Sequence, residues 1–382
     1  MIKVLAVENY RSLRDLVVPL DAITVVTGAN GSGKSSLYRA LRLLSECARG
    51  GAVAALAAEG GLPSTLWAGP DHPPRDGHPV QGTVRDRPIG LRLGFAADDF
   101  GYAVDLGQPQ PSQSAFSLDP EIKVEAVWAG PFLRPGTLLA ERNHGRIKVR
   151  DGDGAWAVLD HRLATFDSMI AELADPRNAP ELLDMRERIR GWRFYDHLRT
   201  DAAAPARETR IGTRTPVLGH DGADLAAALQ TIIEIGDHEA LAEAVDRAFP
   251  GSRLGVDLDG GRLGVRLRQP GLLRPLAAAE LSDGTLRYLL WAAALLTPRP
   301  PELFVCNEPE TSLHPELIAP LAGLIATASK DTQVIVVSHS AQLVAALEGQ
   351  GAATVELRKE GGRTVVAGQG ILDGPPWHWP KR

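Results

Sequence analysis

The run Gly28-Ala-Asn-Gly-Ser-Gly-Lys-Ser35 constrains this chain more than any other stretch. Its spacing, G-x-x-x-x-G-K-[ST], is that of a loop whose glycines let successive backbone N–H groups turn inward around a phosphate. The flanks supply the context that the pattern needs. Ala22-Ile-Thr-Val-Val-Thr27 is a β-branched run that predicts a buried strand, and Ser36-Leu-Tyr-Arg-Ala-Leu-Arg-Leu-Leu44 carries apolar residues at helical spacing. A helix starting at the loop adds its dipole to the anion nest. Lys34 is expected to reach the β- and γ-phosphates of ATP, and the Ser35 hydroxyl to ligate Mg²⁺. Asn30, Gly31, Ser32, Gly33 and Ser36 complete the expected nucleotide-binding set. Lys34 is further expected to face solvent. The alternative, a glycine-rich strand–helix turn with an accidental lysine, leaves the two flanks unexplained.

Size and charge narrow what can be built around this loop. With 382 residues the chain has room for two domains, or for one large domain with an elaborate insertion. A net charge of −6 gives no global basic footprint for nucleic acid, although a local one stays open. Cys47 and Cys306 are the only cysteines and make no disulfide framework, which points to a reducing, cytoplasmic setting. The start, Met1-Ile-Lys-Val-Leu5, does not read as a signal peptide. The longest apolar run, Tyr288 to Leu296, is too short to cross a bilayer, so no membrane partner is expected.

Before the loop, strands are predicted at Ile2–Asn9 and Leu16–Leu20. After it, Gly60-Gly-Leu-Pro63 and Gly69 through Pro79 read as turn-rich, exposed loop. Two alternating runs from Arg87 to Leu106 flank Asp98-Asp-Phe-Gly101 and predict an antiparallel hairpin. Further strands are expected at Ile122–Trp128, Arg146–Arg150 and Trp156–Leu159. Leu163–Leu173 reads as helix. So does Glu181–Leu198, where Leu182, Met185, Ile189, Trp192 and Tyr195 recur every three or four residues. Thr200–Leu218 is expected as loop, Asp224–Phe249 as two helices broken at Gly236, and Leu254–Leu258 with Leu263–Leu267 as strands. Pro301-Glu-Leu-Phe-Val-Cys-Asn-Glu308 is an apolar run ending in polar groups, as a buried parallel strand does at its carboxyl end, where ligands of open α/β sheets sit. Helix at Glu316–Ala328, strand at Gln333–Ser338 and helix at Ala341–Leu347 continue a β–α–β–α order and imply a mainly parallel sheet. Thr354–Arg358 and Arg363–Ala367 form a predicted closing hairpin before a Trp/Pro-rich tail.

Three C-terminal stretches carry a resemblance. Leu281-Ser-Asp-Gly-Thr-Leu-Arg-Tyr288 resembles the signature helix of ABC-type ATPases, Phe304-Val-Cys-Asn-Glu-Pro-Glu-Thr-Ser-Leu-His-Pro315 their Walker B and D-loop, and Val337-Ser-His-Ser340 their switch histidine. With Glu8-Asn-Tyr-Arg-Ser-Leu13 ahead of the loop, the set is similar to the bacterial ABC-type predicted ATPases. That family is often labelled AAA and is related to RecF, SMC and OLD head domains. The resemblance implies an α/β P-loop NTPase head with a mainly parallel core sheet, an antiparallel β lobe and a helical insertion. Residues 1–50 and 270–382 would form the nucleotide core, and 51–269 the lobe and insertion. It also implies a homodimer that sandwiches two ATPs, each between the P-loop of one subunit and the signature of the other. Carried over, Ser282 and Gly284 would contact the γ-phosphate in trans, Glu308 would position or deprotonate the attacking water, and His339 would touch the γ-phosphate. Each has a plainer alternative: Ser282 as a helix cap, Glu308 as a loop carboxylate and His339 as a polar strand end.

The chain departs from the family at Asn307, where relatives carry Asp. A neutral amide oxygen in the Mg²⁺ sphere implies weaker metal affinity or slower turnover, with Glu310 able to share the task. The alternative function is therefore an ATP sensor or regulatory subunit controlling a separately encoded effector. The long stretch between Lys34 and Ser282 separates the chain from transporter ATPases, and the short one after His339 leaves no room for the Toprim nuclease of OLD-type proteins. No long coiled coil provides an SMC-like tether. One local basic feature stands out: as a strand, Arg146-Ile-Lys-Val-Arg150 places three cations on one face, able to grip DNA phosphates or simply to meet water.

Overall fold

The computed structural model describes residues 1–70, 89–111, 113–151, 154–159, 163–173, 176–177, 179–196, 198–370 and 373–381. The expected loop from Gly69 through Pro79 lies, from position 71 onward, outside them, as does Arg87 at the expected hairpin's start. The chain forms two compact units. The first comprises Met1–Asp21, Val26–Trp192 and Val355–Arg382, and the second Ala22–Val25 and Arg193–Thr354.

The first unit opens with β1 (Ile2–Tyr10) and β2 (Leu13–Pro19), and takes up the chain again along β3 (Ile23–Thr27) into α1 (Lys34–Arg49), α2 (Ala52–Ala58) and α3 (Leu62–Thr65). Strands β4 (Leu91–Ala97), β5 (Phe100–Gly107), β6 (Glu121–Ala129), β7 (Leu138–Asn143), β8 (Arg146–Arg150) and β9 (Trp156–Leu159) follow. They join β1 and β2 in an antiparallel sheet of order β2-β1-β4-β5-β6-β7-β8-β9. The expected hairpin is β4–β5, paired from Leu91↔Leu106 to Ala96↔Gly101. Helix α1 buries Leu37, Leu41, Leu44 and Ala48, an i, i+4, i+7, i+11 stripe that the sequence periodicity announces.

Gly60-Gly-Leu-Pro63, expected as exposed loop, instead runs into α3, and Leu62 is wholly buried. Two further expectations fail here for identifiable reasons. Leu163–Leu173 is helical only over α4 (Met169–Glu172). The preceding residues are held as turns by a buried ion pair: Arg142 donates to the carbonyls of Ala164 (2.8 Å) and Asp167, while Glu125 accepts from Ser168 Oγ (2.7 Å) and the Met169 N–H (2.6 Å). Both charged side chains are wholly buried and hydrogen-bonded, the condition under which a buried pair persists. The second case is the helix expected to run to Leu198. α5 (Pro180–Gly191) stops at Gly191, and the chain continues as β10 (Arg193–Tyr195). Trp192 packs edge-on against Phe95 (5.1 Å between centroids), whereas Tyr195 stacks on Phe304 (4.9 Å). Their spacing is helical, but different partners bury them.

In the second unit, β10 lies in parallel beside β15 (Leu303–Asn307), β15 beside β16 (Gln333–Val337), and β16 beside the start of β3. Between β10 and β15 the chain forms the short strand β11 (Arg210–Ile211), then α6 (Leu225–Ile235) and α7 (His238–Ala248). Strands β12 (Arg253–Asp259), β13 (Arg262–Arg268) and β14 (Leu276–Ala277) precede α8 (Asp283–Leu295). The last elements are α9 (Ile318–Ala328) and α10 (Ala341–Glu348). Trp291, Leu289 and Leu290 of α8 share a core with Val334 and Val336 of β16 and Leu321 and Ile325 of α9. β12 and β13 are the expected hairpin, and Gly236 breaks α6 from α7 as expected. The chain returns to the first unit as the hairpin β17 (Ala353–Glu360) and β18 (Arg363–Val366). Among the described residues no helix is long and apolar enough to cross a membrane.

Candidate functional site

Between β3 and α1 the backbone turns at three glycines with positive φ: Gly28 (143°), Gly31 (79°) and Gly33 (113°). A Cβ on Gly28 would fall 2.3 Å from the Leu357 carbonyl oxygen, and one on Gly33 would fall 2.3 Å from Thr364 Oγ1. Glycine is thus required at both for space as well as for dihedral. α1 starts on Gly33 with no side-chain cap and no acidic residue in its first turn, which leaves the positive helix end to an anion. The Ser32 hydroxyl is buried without a hydrogen-bond partner. An orphaned hydroxyl in a glycine cradle at a helix start fits a polyphosphate. Asn30, Gly31 and Ser35 are exposed, and Gly33 and Ser36 half-buried.

Lys34 differs from expectation. It is only 7 % exposed, and its ammonium donates to the carbonyls of Gly28 (2.6 Å) and Ala29 (3.3 Å). The glycine turns bring these oxygens within reach, and a charge-assisted bond to them outweighs an open position in water.

The loop is also held from the C-terminal hairpin, a contact that local spacing does not encode. Thr364 of β18 is 1 % exposed and donates through Oγ1 to the Ser32 carbonyl (2.7 Å). With that proton committed, Ser12 Oγ is the donor of the 2.9 Å bond to Thr364 Oγ1, and the Thr364 N–H donates to the Ser12 carbonyl (2.8 Å).

In the second unit the carboxyl ends of β15 and β16, in register at Asn307↔Val337, carry the polar residues. The Glu308 N–H donates to the Val337 carbonyl (2.8 Å), and Glu308 itself sits at φ 50°, a left-handed conformation that costs a non-glycine residue about 1–2 kcal/mol. This turn swings its carboxylate onto His339 Nδ1; the histidine is 62 % exposed and the glutamate 27 %. Glu310, two residues on, has a side chain only 8 % exposed. It accepts from the Ser338 hydroxyl and the Ser340 N–H (3.3 Å), and its second oxygen has no partner. Burial pushes the Glu310 carboxyl above the ordinary range, the Ser338 bond opposes the rise, and the nearby Glu308 charge adds to it. Glu308, Glu310 and His339 bring one potential ligand atom each within 4.8 Å of one another, a donor set suited to a divalent cation. Trp291 Nε1 donates to the Pro309 carbonyl (3.0 Å) and pins the turn between the two glutamates.

Ser282 is the N-cap of α8, with Oγ accepting from the Thr285 N–H (3.2 Å), and it is exposed. Gly284 lies in the first turn, where a Cβ would come 3.1 Å from the Ser312 carbonyl oxygen. The plainer reading of Ser282 as a cap is therefore present in the geometry, and its exposure leaves it open to a second partner. Within the second unit the fold gathers Asn307, Glu308 and His339, and it sets Gly284 against Ser312. Within the first it gathers residues 28 to 36 around the glycine turns.

The basic strand is more occupied than its sequence suggests. Lys148 pairs with Glu141 (2.8 Å), and Arg150 donates to the carbonyls of Leu138, Pro135 and Gly154 while lying over the Trp156 ring. Arg146 is exposed.

Comparison with known proteins matches residues 23–345 to the family described as "AAA domain, putative AbiEii toxin, Type IV TA system". A search of curated proteins returns no significant match. Among solved structures, an SMC head bound to the C-winged-helix domain of ScpA is 16 % identical, with a TM-score of 0.51 over 96 % of each chain. The SMC head domain from Thermotoga maritima is 14 % identical, with a TM-score of 0.48 over 96 % of this chain and 98 % of that one. The first likeness shows the fold, that of an α/β P-loop head, and the chain also carries an antiparallel sheet. A glycine cradle at a helix start, a strand ending in Asn307-Glu308 and a family match over most of the length lead to one assignment: the chain belongs to this AAA-domain family of P-loop, nucleotide-binding ATPases.

Proposed function

We propose that the chain binds ATP, hydrolyses it slowly, and closes as a homodimer around two nucleotides, so that nucleotide state sets dimer state. In this reading residues 1–50 and 270–382 are the nucleotide core, and 51–269 are the lobe and insertion. The observation that carries hydrolysis is the Glu308–His339 contact, formed by a left-handed residue at the carboxyl end of β15. Strain of this kind is kept where it aims a side chain. Glu308 orients the attacking water and takes its proton, while His339 holds that carboxylate and offers its exposed ring to the γ-phosphate. Lys34 exchanges the Gly28 and Ala29 carbonyls for the β- and γ-phosphates. The Ser35 hydroxyl and the Asn307 amide oxygen would hold Mg²⁺, which when bound neutralises phosphate charge. Ser282 and Gly284 meet the γ-phosphate from the opposite subunit.

The reader of closure is better sought among proteins than in DNA. Two of the three cations on the basic strand are already engaged, and one structural neighbour is an SMC head bound to a domain of ScpA. A separately encoded effector fits this better than a phosphate grip, and the biological setting, repair or defence, follows from the effector. Asn307 favours the second reading, an ATP sensor with little turnover, because an amide adds no charge to the metal sphere.

Light scattering of Glu308→Gln with and without Mg-ATP is the test. ATP-dependent doubling of mass supports the switch, and a mass that ignores ATP refutes it. Phosphate release by the unmodified protein then separates ATPase from sensor.

A further inference from the structure

The segment Thr200–Leu218 reads in the sequence as a proline- and arginine-rich loop, yet it holds one of the most heavily bonded side chains in the second unit. Arg207 ends a 3-10 turn at Pro205–Arg207, and its side chain is 9 % exposed. On one side its guanidinium donates to the carbonyls of Thr200 (2.7 Å from Nη2) and Asp201 (3.0 Å from Nε). On the other it donates through Nη1 to the carbonyls of Ala278 (3.0 Å) and Leu281 (2.7 Å), and through Nη2 to Asp283 Oδ1 (2.7 Å). These acceptors bracket Ser282. The Leu281 carbonyl belongs to the peptide plane that ends at the Ser282 nitrogen, and Asp283 is the first residue of α8.

We infer that Arg207 is the positioning residue of the Ser282–Gly284 segment: its planar fork locks the peptide before Ser282 and the helix start after it, so that Ser282 is presented outward as the cap of α8. A second clamp on the same segment is weaker. Arg274 pairs with Glu280 at 2.6 and 2.8 Å, but both side chains face water, where such a pair contributes little. The Arg207 guanidinium is itself shielded and its bonds are charge-assisted, and lysine, a point charge on a flexible stem, cannot reproduce a fork that reaches three acceptors around one turn.

The inference rests on the proposed role of Ser282 across a dimer, so the experiment includes a control for that role. Full-length Arg207→Lys, Asp283→Ala and Ser282→Arg are each prepared in the Glu308→Gln background. ATP affinity is measured at low protein concentration and ATP-driven dimerisation at high concentration, well below each melting temperature. Arg207→Lys should bind ATP as its parent does, because the P-loop is untouched. Its ATP-driven dimer should weaken by about 10- to 100-fold, the scale of a misplacement near 1 Å. Asp283→Ala, which removes one exposed partner and keeps the buried fork, should weaken it in the same direction and by less. If Ser282→Arg abolishes dimerisation while Arg207→Lys and Asp283→Ala dimerise like the parent, the positioning role is overturned and the shared site stands. If Ser282→Arg also dimerises like the parent, the shared site falls and the inference with it. Should Arg207→Lys not fold, Asp283→Ala decides: a parental dimer constant overturns the positioning role.

Discussion

Thr364→Val removes one hydroxyl from under the phosphate loop and changes almost no volume. The hydroxyl is buried, donates to the Ser32 carbonyl at 2.7 Å and accepts from Ser12 at 2.9 Å. Leaving a buried carbonyl without its donor costs about 1–3 kcal/mol. That penalty can be borne by the whole fold or relieved locally. Local relief is the cheaper route, because Asn30 and Gly31 of the same loop are exposed, so a small outward shift brings the Ser32 carbonyl to water. The shift withdraws the cradle, and ATP then selects the fraction of molecules whose loop is still held. The loss of apparent affinity is capped by the Boltzmann factor of the missing bond, about 5-fold for 1 kcal/mol and about 160-fold for 3 kcal/mol, with about 30-fold at the centre. ATP titration of the full chain by calorimetry, with melting temperature recorded in parallel, is the assay. Thr364→Ser restores the hydroxyl and should restore the affinity. A Thr364→Val protein that melts earlier yet binds ATP with unchanged affinity would show that the bond supports only the hairpin.

Lys34→Ala should lose ATP binding by at least about 100-fold and also cost about 1–3 kcal/mol of stability, because the ammonium bonds two loop carbonyls that alanine leaves bare; wild-type affinity by calorimetry refutes it. Asn307→Asp should lower the Mg²⁺ concentration for half-maximal turnover, and an upward or absent shift would mean that the amide is suited to its place. Glu310→Gln should change how stability follows pH: a carboxyl raised by burial favours the fold below its unfolded pKa and loses that contribution as pH rises through the raised value. The variant's melting temperature should therefore gain on wild type between pH 4 and pH 8, and a constant gap would refute the burial effect. Lys34→Ala and Ser282→Arg should each be inactive alone, while their mixture contains one site with an intact loop and an intact cap, and should recover part of the turnover or of the ATP-dependent dimer. Recovery of neither, with both folded, removes the shared site.

What the sequence made legible is what the chain encodes locally. The glycine turns, the apolar stripe of α1, the strand ending in Asn307-Glu308 and the hairpins at β4–β5 and β12–β13 are written in spacing over fewer than about twenty residues, and periodicity reads that range. The misreadings share another cause. Arg142 and Glu125 hold Ala164 to Ser168 out of a helix from strands earlier in the chain, and Trp192 and Tyr195 keep a helical spacing while being buried by separate partners. The burial of Lys34 is not legible in the sequence because its partners are backbone carbonyls, which no side-chain pattern displays. The bond from Thr364 to Ser32 spans 332 residues and that from Arg207 to Leu281 spans 74, and nothing in either spacing singles out the pair.

These two long-range bonds have a common logic. Each takes the backbone carbonyl of, or next to, a residue proposed for nucleotide contact, and neither takes that residue's own hydroxyl. Thr364 holds the Ser32 carbonyl while Ser32 Oγ stays without a partner, and Arg207 holds the Leu281 carbonyl while Ser282 stays exposed. A clamp on the side chains would give similar rigidity and consume the groups meant for phosphate. Fixing the peptide plane sets the direction of the N–H and of the side chain together; it leaves the Ser32 hydroxyl unengaged and the Ser282 hydroxyl exposed, engaged only with Thr285 as the cap of α8. On this view the fold's contribution is preorganisation: donors are set before the anion arrives, and less ordering remains to be done on binding. It follows that removing either clamp should act on affinity or dimerisation far more than on the melting temperature. The cost of a loosened peptide near the surface is met by water when the ligand is away, and falls due only when the phosphate must be grasped.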